Sequence, residues 1–264
     1  MSKSDLRPDV IWSFSLAVSF IAWIFLPPFR PFLSVVLLAH LPVLIFGITN
    51  LQAGFFCRSY CRIPGELHRC ALTFDDGPDP RLTPAVLDLL DEFNVTATFF
   101  LIARKARQHA ELAREIVNRG HEVACHDLDH HFTANFRRHH RMVREINTAC
   151  TIIADATGKS PLLYRPPVGL SNPHLRTALA ELGMRCIGWD RGLGDGGNRF
   201  VSTFTRMPHL AKPGSIVLLH DCLPDEKNPD LFLNSLRSLL GEMKNNGLSG
   251  VTVSTLCSLR AYRD

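Results

Sequence analysis

Residues 10–29 contain no Asp, Glu, Lys or Arg, and after the lone Arg30 residues 31–57 contain none either. At 1.5 Å per helical residue, each run is long enough to cross a hydrocarbon core of about 30 Å. Pro27, Pro28 and Pro31 flank Arg30 and break any helix there, so residues 1–57 are expected to form a transmembrane helical hairpin. A cleaved signal peptide fits less well, because the apolar stretch outruns a signal core and no small-residue cleavage site follows it promptly. Beyond a Pro- and Gly-containing linker at 58–69, short apolar runs alternate with helical periodicity. The pattern predicts strands at 70–74, 96–102, 122–125, 162–164, 185–189, 215–219 and 250–253. Helices are predicted at 84–93, 105–119, 136–156, 173–182, 202–210 and 230–245, and a Gly-rich loop at 192–197. About seven βα units imply a parallel sheet with its helices outside, closed as a distorted (β/α)7-type barrel over 70–264.

Composition changes this picture little. The chain has 264 residues, 46% apolar and 20% charged, with a formal net charge of +4. That suits one α/β domain plus an appendage, and the scattered Lys and Arg form no aromatic-interleaved patch, so no nucleic-acid partner is expected. Charge does orient the hairpin. Lys3 and Arg7 precede it, Arg58, Arg62 and Arg69 follow it, and only Arg30 lies in its loop. The positive-inside rule then places both ends, and the domain, on the cytoplasmic side of an inner membrane, with membrane lipid as a partner. The eight cysteines (57, 61, 70, 125, 150, 186, 222 and 257) form no paired knuckles, and several fall in predicted core strands, as buried thiols of a reducing compartment do. Cys57 and Cys61, four apart, are a weak pattern for pairing or metal binding.

The candidate chemistry lies where strands end. The first predicted strand runs through Ala71, Leu72, Thr73 and Phe74 and breaks at Asp75-Asp76-Gly77-Pro78, which puts two carboxylates at its C-terminal tip. In α/β folds that edge of the sheet gathers ligands and catalytic groups. The strand at 122–125 leads into His126-Asp127-Leu128-Asp129-His130, where a tight turn would bring two imidazoles to one side. A carboxylate and two histidines with an open position form a catalytic zinc pattern. Arg165-Pro166-Pro167-Val168-Gly169 is a rigid turn that holds a guanidinium near the same rim, and His220 arrives there at the end of another strand. Taken singly, each is an ordinary strand end or surface turn; together they converge.

These motifs, in this order, resemble those of the polysaccharide deacetylases that share the NodB homology domain, also called carbohydrate esterase family 4. The resemblance spans about residues 70–256. It implies Asp75 as general base, Asp76, His126 and His130 as ligands of one divalent metal ion, zinc being the expected one, Arg165 as a catalytic partner of Asp75, and His220 as general acid. It also implies that the backbone N–H of Val168 helps hold an oxyanion and that Leu218 borders the acyl group. The fourth family motif departs from its pattern. An Asp usually stands three residues after a Trp, whereas Gly192 follows Trp189 at that distance, flanked by Asp190 and Asp195. Asp195 is the expected substitute, with Trp189 at the substrate. The implied activity is hydrolysis of an N-acetyl or N-formyl group from an amino sugar in a polysaccharide or a lipid-linked glycan precursor. A non-catalytic carbohydrate-binding or scaffold protein retaining the fold is the alternative, favoured by the altered fourth motif and opposed by the intact acids and histidines.

Overall fold

A computed structural model describes residues 7–223 and 229–264. The apolar N-terminus forms helices α1 (Pro8–Phe25) and α2 (Arg30–Thr49), joined by a single turn at Pro27–Phe29. Their pairing is antiparallel: Trp23 Nε1 donates to Ser34 Oγ (3.1 Å), and Ser15 Oγ lies 3.2 Å from His40 Nε2. Arg30 lies over the Trp23 ring, 5.0 Å from its centroid, and Arg30 Nε donates to the Trp23 carbonyl. Both helices are long and apolar enough to cross a membrane, and almost none of either is buried.

After β1 (Ser59–Tyr60), the chain alternates as expected. It forms β2 (Arg69–Asp75), α3 (Thr83–Glu92), β3 (Thr98–Leu101), α4 (Ala103–Gln108), α5 (Ala110–Asn118), β4 (Glu122–Cys125), α6 (His139–Thr157), β5 (Leu163–Tyr164) and α7 (Pro173–Glu181). Then follow β6 (Arg185–Ile187), β7 (Arg191–Gly192), β8 (Ile216–His220), α8 (Pro229–Asn245), β9 (Ser249–Gly250) and α9 (Val253–Cys257). The sheet is parallel, in the order β1-β6-β5-β4-β3-β2-β8-β7, with β9 beside the start of β2. It curls into the expected distorted barrel. Its seam is crossed where β6 runs directly on to β7: Gly188 N donates to the Tyr60 carbonyl on one side, and Asp190 N to the Ile216 carbonyl on the other.

Side-chain alternation sets the layers. In β2, Cys70, Leu72 and Phe74 face the outer helices, where they join the main core with Phe99, Leu101 and Val123. Ala71 faces inward with Phe100, Ala124, Leu163, Ile187 and Ile216, a small core capped by Val253 and Leu256 of α9. Thr73 and Asp75 continue that inward row toward the C-terminal end, so the alternation that fills the barrel also carries Asp75 into its mouth.

Several predicted elements are altered, each by a local cause. The helix expected at 105–119 is two, broken at His109, whose φ of −123° and ψ of 52° are not helical. That expected at 136–156 begins only at His139, behind a 3-10 segment, Phe132–Phe136. The 202–210 helix is 3-10, Val201–His209, with Pro208 inside it. The last expected strand pairs only at Ser249–Gly250, because Thr252 accepts from Thr255 N and starts α9. The segment expected as a linker contributes β1, which pairs with β6, and Arg62 bridges to Ser215.

Candidate active site

Asp75 ends β2 and Asp76 follows with φ 69°, a left-handed turn that leaves an oxygen of each carboxylate within 3.6 Å of His126 Nε2. Gly77 comes next because nothing larger fits: a Cβ there would collide with the buried Asp221 carboxylate. Asp221, itself pushed up to about 7 by burial, accepts from Thr83 Oγ1 at 2.6 Å. Lys105 Nζ donates to the Asp76 carbonyl at 2.7 Å, tying the turn to α4.

The loop after β4 is an irregular turn, left-handed at Asp127 and His130, and it brings the rings of His126 and His130 to 4.8 Å between centroids. It is pinned from both sides. Ala103 N and Arg104 N at the start of α4 donate to the carbonyls of Asp127 and Leu128, while Arg137 Nη1 holds the buried Asp127 carboxylate at 2.8 and 2.9 Å. His126 Nδ1 donates to the Arg165 carbonyl at 2.9 Å, so in the neutral ring Nε2 is a lone pair. That lone pair faces Asp76 Oδ1 at 3.5 Å and Asp75 Oδ2 at 3.6 Å; His130 Nε2 is 3.4 Å from the same Asp76 oxygen. Asp76 Oδ1 is buried and accepts no hydrogen bond. Orphaning a buried acceptor costs about 1–3 kcal/mol, and lone pairs turned on carboxylates repel; a cation among them removes both penalties. The ligand atoms of Asp76, His126 and His130 lie within 4.8 Å of one another, the only such group among the described residues. The residues therefore fit a divalent ion. Burial works against ionising Asp76, but His126, His130, His220 and Lys105 outweigh it and hold its carboxyl below the usual range. Burial and the neighbouring His126 lower the pKa of His130, favouring the neutral ring that a metal requires.

Arg165 is fully buried beneath this set. Its Nη1 donates to Asp75 Oδ1 (2.7 Å) and Thr73 Oγ1 (2.8 Å), Nη2 donates to the Gly188 carbonyl (2.9 Å), and the guanidinium lies 4.0 Å from the centroid of the Phe100 ring. It does not line the cavity, so it bears on chemistry by holding Asp75 and the strand before Trp189. Three residues further, Val168 adopts φ 59°, a conformation costing a β-branched residue about 1–3 kcal/mol, and it is 63% exposed at the cavity edge. Gly169 packs against Trp189 so closely that a Cβ would strike the indole. Across the mouth, His220 ends β8 beside Leu218, and His220 Nδ1 lies 3.3 Å from Asp195 Oδ1. Burial alone would lower the His220 pKa, but Asp195, Asp75 and Asp76 together raise it above the ordinary imidazole value. Asp75, Asp76, His126, His130, Trp189, Leu218 and His220 line one cavity of about 830 Å³.

The profile of the family described as polysaccharide deacetylase matches residues 64–187. A peptidoglycan-N-acetylglucosamine deacetylase of Bacillus cereus is 34% identical over 197 residues, covering 74% of this chain and 90% of that protein. A chitooligosaccharide deacetylase of Sinorhizobium fredii is 38% identical over 159 residues, 59% of this chain and 73% of that protein. The chain belongs to the polysaccharide deacetylase family. Among solved structures, the peptidoglycan deacetylase PdaC from Bacillus subtilis superimposes with a TM-score of 0.64 at 28% identity, covering 74% of this chain and 92% of that one. The protein is thus a hydrolase of amide bonds by family.

Within that family, the altered fourth motif has a geometric answer. Asp190 is committed elsewhere, accepting from Ile216 N (3.1 Å) and Ser215 Oγ (3.1 Å), whereas Asp195 reaches His220. Asn198 adds a second brace that the sequence did not reveal: its Nδ2 donates to the carbonyls of His220 and Cys222, each at 2.8 Å. Arg137 and Lys105 were also missed. All three act on backbone or carboxylates remote in sequence, and nothing in their own neighbourhoods marks them. The eight cysteines are free thiols; Cys61 Sγ lies 3.2 Å from Ser59 Oγ rather than in a metal cluster.

Proposed function

We propose that the protein hydrolyses an N-acyl group, acetyl or formyl, from an amino sugar. The observation that carries this reading is the Asp76, His126, His130 cluster flanked in one cavity by Asp75 and His220. These three residues would hold one divalent ion, zinc suiting the two imidazoles and one carboxylate. When bound, such an ion polarises the amide carbonyl and makes a water nucleophilic at neutral pH. Asp75 takes the proton from the attacking water, its Oδ1 fixed by Arg165. The backbone N–H of Val168 receives the oxyanion as the tetrahedral carbon forms. His220, kept protonated by Asp195, gives its proton to the leaving amine as the C–N bond breaks. Leu218 borders the small acyl group and Trp189 offers a face to the sugar ring.

In this reading, residues 1–57 anchor the protein in the inner membrane, 58–69 connect, and 70–264 carry catalysis on the cytoplasmic side, as the Arg and Lys flanks favour. A cytoplasmic domain meets glycan precursors rather than finished wall polymer. The substrate is therefore an N-acylated amino sugar of a precursor. The test is acyl release: the purified full chain, with its metal content measured, is incubated with N-acetylated glucosamine oligomers and with N-formyl analogues. Acetate or formate production that chelation abolishes and metal restores is expected, and absence of both products at full metal occupancy overturns the reading.

A further inference from the structure

The foot of the hairpin is built into the wall of the active site. A helix end leaves its last four carbonyls without intrahelical partners. In α2, Ser171 serves two of them: its N–H donates to the Ile48 carbonyl (2.9 Å) and its Oγ to the Gly47 carbonyl (3.2 Å), with Ser171 only 1% exposed. Just beyond the helix, Gln52 Nε2 donates to the Trp189 carbonyl at 2.7 Å. Ser171 closes the turn that presents Val168, and Trp189 packs on Gly169 in the same turn, so the end of the apolar hairpin is bonded to both loops on one side of the cavity. The twenty residues of α2 rise about 30 Å, a hydrocarbon thickness, which puts this junction at the level where acyl chains meet headgroups.

Two further observations lie at that level. Beside the Val168 turn, Asn135 Nδ2 donates to the Pro167 carbonyl (3.2 Å), and this brings up Phe136, whose side chain is 82% exposed. A bare phenylalanine on the segment bonded to this turn, beside an exposed valine at the cavity edge, is costly in water and favourable among lipid chains. On another side of the same foot, a cleft of about 400 Å³ between α1 and α7 is lined by Arg7, Arg58, Arg176 and Arg185, with Asp9 its only acid. Asp9 pairs with Arg176 at 2.5 Å, which leaves the cleft strongly cationic, as suits anionic headgroups.

We infer that, given the deacylase activity proposed above, the cavity mouth opens onto the bilayer surface and the amino sugar it takes is carried on a lipid of that bilayer. The hairpin is then more than a tether. It sets the height of the site above the hydrocarbon, Phe136 and Val168 enter the headgroup layer, and the lipid-anchored sugar reaches the metal cluster without leaving the membrane. A substrate confined to the same surface gains effective concentration over a soluble one.

The test uses the full chain reconstituted in vesicles that contain anionic phospholipid. A benzophenone amino acid is placed at Phe136 or, as control, at exposed Leu67, which precedes β2 at the opposite end of the barrel. Photolysis should yield a phospholipid adduct at 136 and none at 67. Equal labelling, or none at 136, overturns the bilayer-facing mouth. In parallel, acetate release is measured from N-acetylglucosamine linked through diphosphate to a polyprenyl chain in the vesicles, and from soluble N-acetylglucosamine oligomers. The lipid-linked sugar should be favoured at least about tenfold in kcat/KM, and F136D should erase that preference while sparing turnover of the soluble oligomer. Equal turnover of both, unmoved by F136D, overturns the substrate class. Absence of both acetate from these substrates and formate from their N-formyl analogues overturns the deacylase reading and the substrate class with it, while the adduct at 136 still decides where the mouth faces.

Discussion

At the scale of single residues, the site separates groups that hold from groups that react. Asp75→Asn is nearly isosteric and keeps an acceptor for Arg165, but it no longer takes a proton. It should retain metal, melt close to wild type and lose deacylation by about 10²- to 10⁴-fold, measured as acetate release at matched metal occupancy. Near wild-type turnover in that variant would remove Asp75 from the chemistry. In the proposed metal site His126 and His130 would supply two of three ligands, so the H126A/H130A double variant should lose most of its metal, read by elemental analysis after dialysis. In the proposed mechanism Asp195 positions His220, and its signature is a pH profile. His220 must be protonated to donate, and its pKa is raised, so activity should persist above the ordinary imidazole value of 6.5 and fall as pH rises through the raised value. Asp195→Asn removes one of the carboxylates that raise it, so the alkaline limb should move to lower pH. A drop in rate with an unmoved limb would mean that Asp195 merely supports the fold.

At the scale of elements, strand ends were legible and loop shapes were not. The apolar runs that predict β2, β4 and β8 identify their tips, and with them Asp75, Asp76, His126 and His220, because alternation and run length are local properties of the chain. The turn after β4 was not legible in the same way. Its left-handed residues are held by Arg137 and by the N-terminus of α4, contacts that no local pattern encodes. The turn around Val168 shows the same dependence on a neighbour. Gly169 has φ +67° and abuts Trp189, so Gly169→Ala should displace the indole, destabilise the domain by about 1–3 kcal/mol and raise KM more than it lowers kcat, read by thermal melts and steady-state kinetics. Between α5 and β4, His121 is buried with its Nδ1 accepting from Ala97 N, and burial lowers its pKa from 6.5 to about 4. The unfolded chain therefore binds a proton that the folded one refuses between those values, so stability rises with pH across that window and is lost as pH falls through it. The loss should be about 3 kcal/mol at most in unfolding measurements, and His121→Asn, which keeps an acceptor, should flatten that dependence.

At the scale of the whole molecule, the hairpin and the barrel share contacts that the sequence presents as separate units. Leu51 joins the main core, and Ser59 Oγ donates to its carbonyl, so the chain leaving the hairpin is already part of the domain. The charge flanks favour cytoplasmic ends, and a reporter active only in the periplasm should be silent when fused after Asp264. An active fusion would place the domain outside and return wall polymer as the substrate.

Hydrophobic period, run length and strand-terminal chemistry act over a few residues, and they determined the hairpin, the alternation of strands and helices, and the acids and histidines of the site. Side-chain choices across the barrel are settled by distance in space. Only the tertiary structure decided that Asp195 rather than Asp190 meets His220, because Asp190 is taken up by Ile216 N and Ser215 across the seam. The same holds for Arg165, which lies under the cavity rather than in it, since β5 delivers it into the barrel interior against Phe100. The joining of α2 to the Val168 turn through Ser171 is also a tertiary fact. Its partners are 123 and 124 residues apart in the chain, and no local pattern brings them within 3.2 Å.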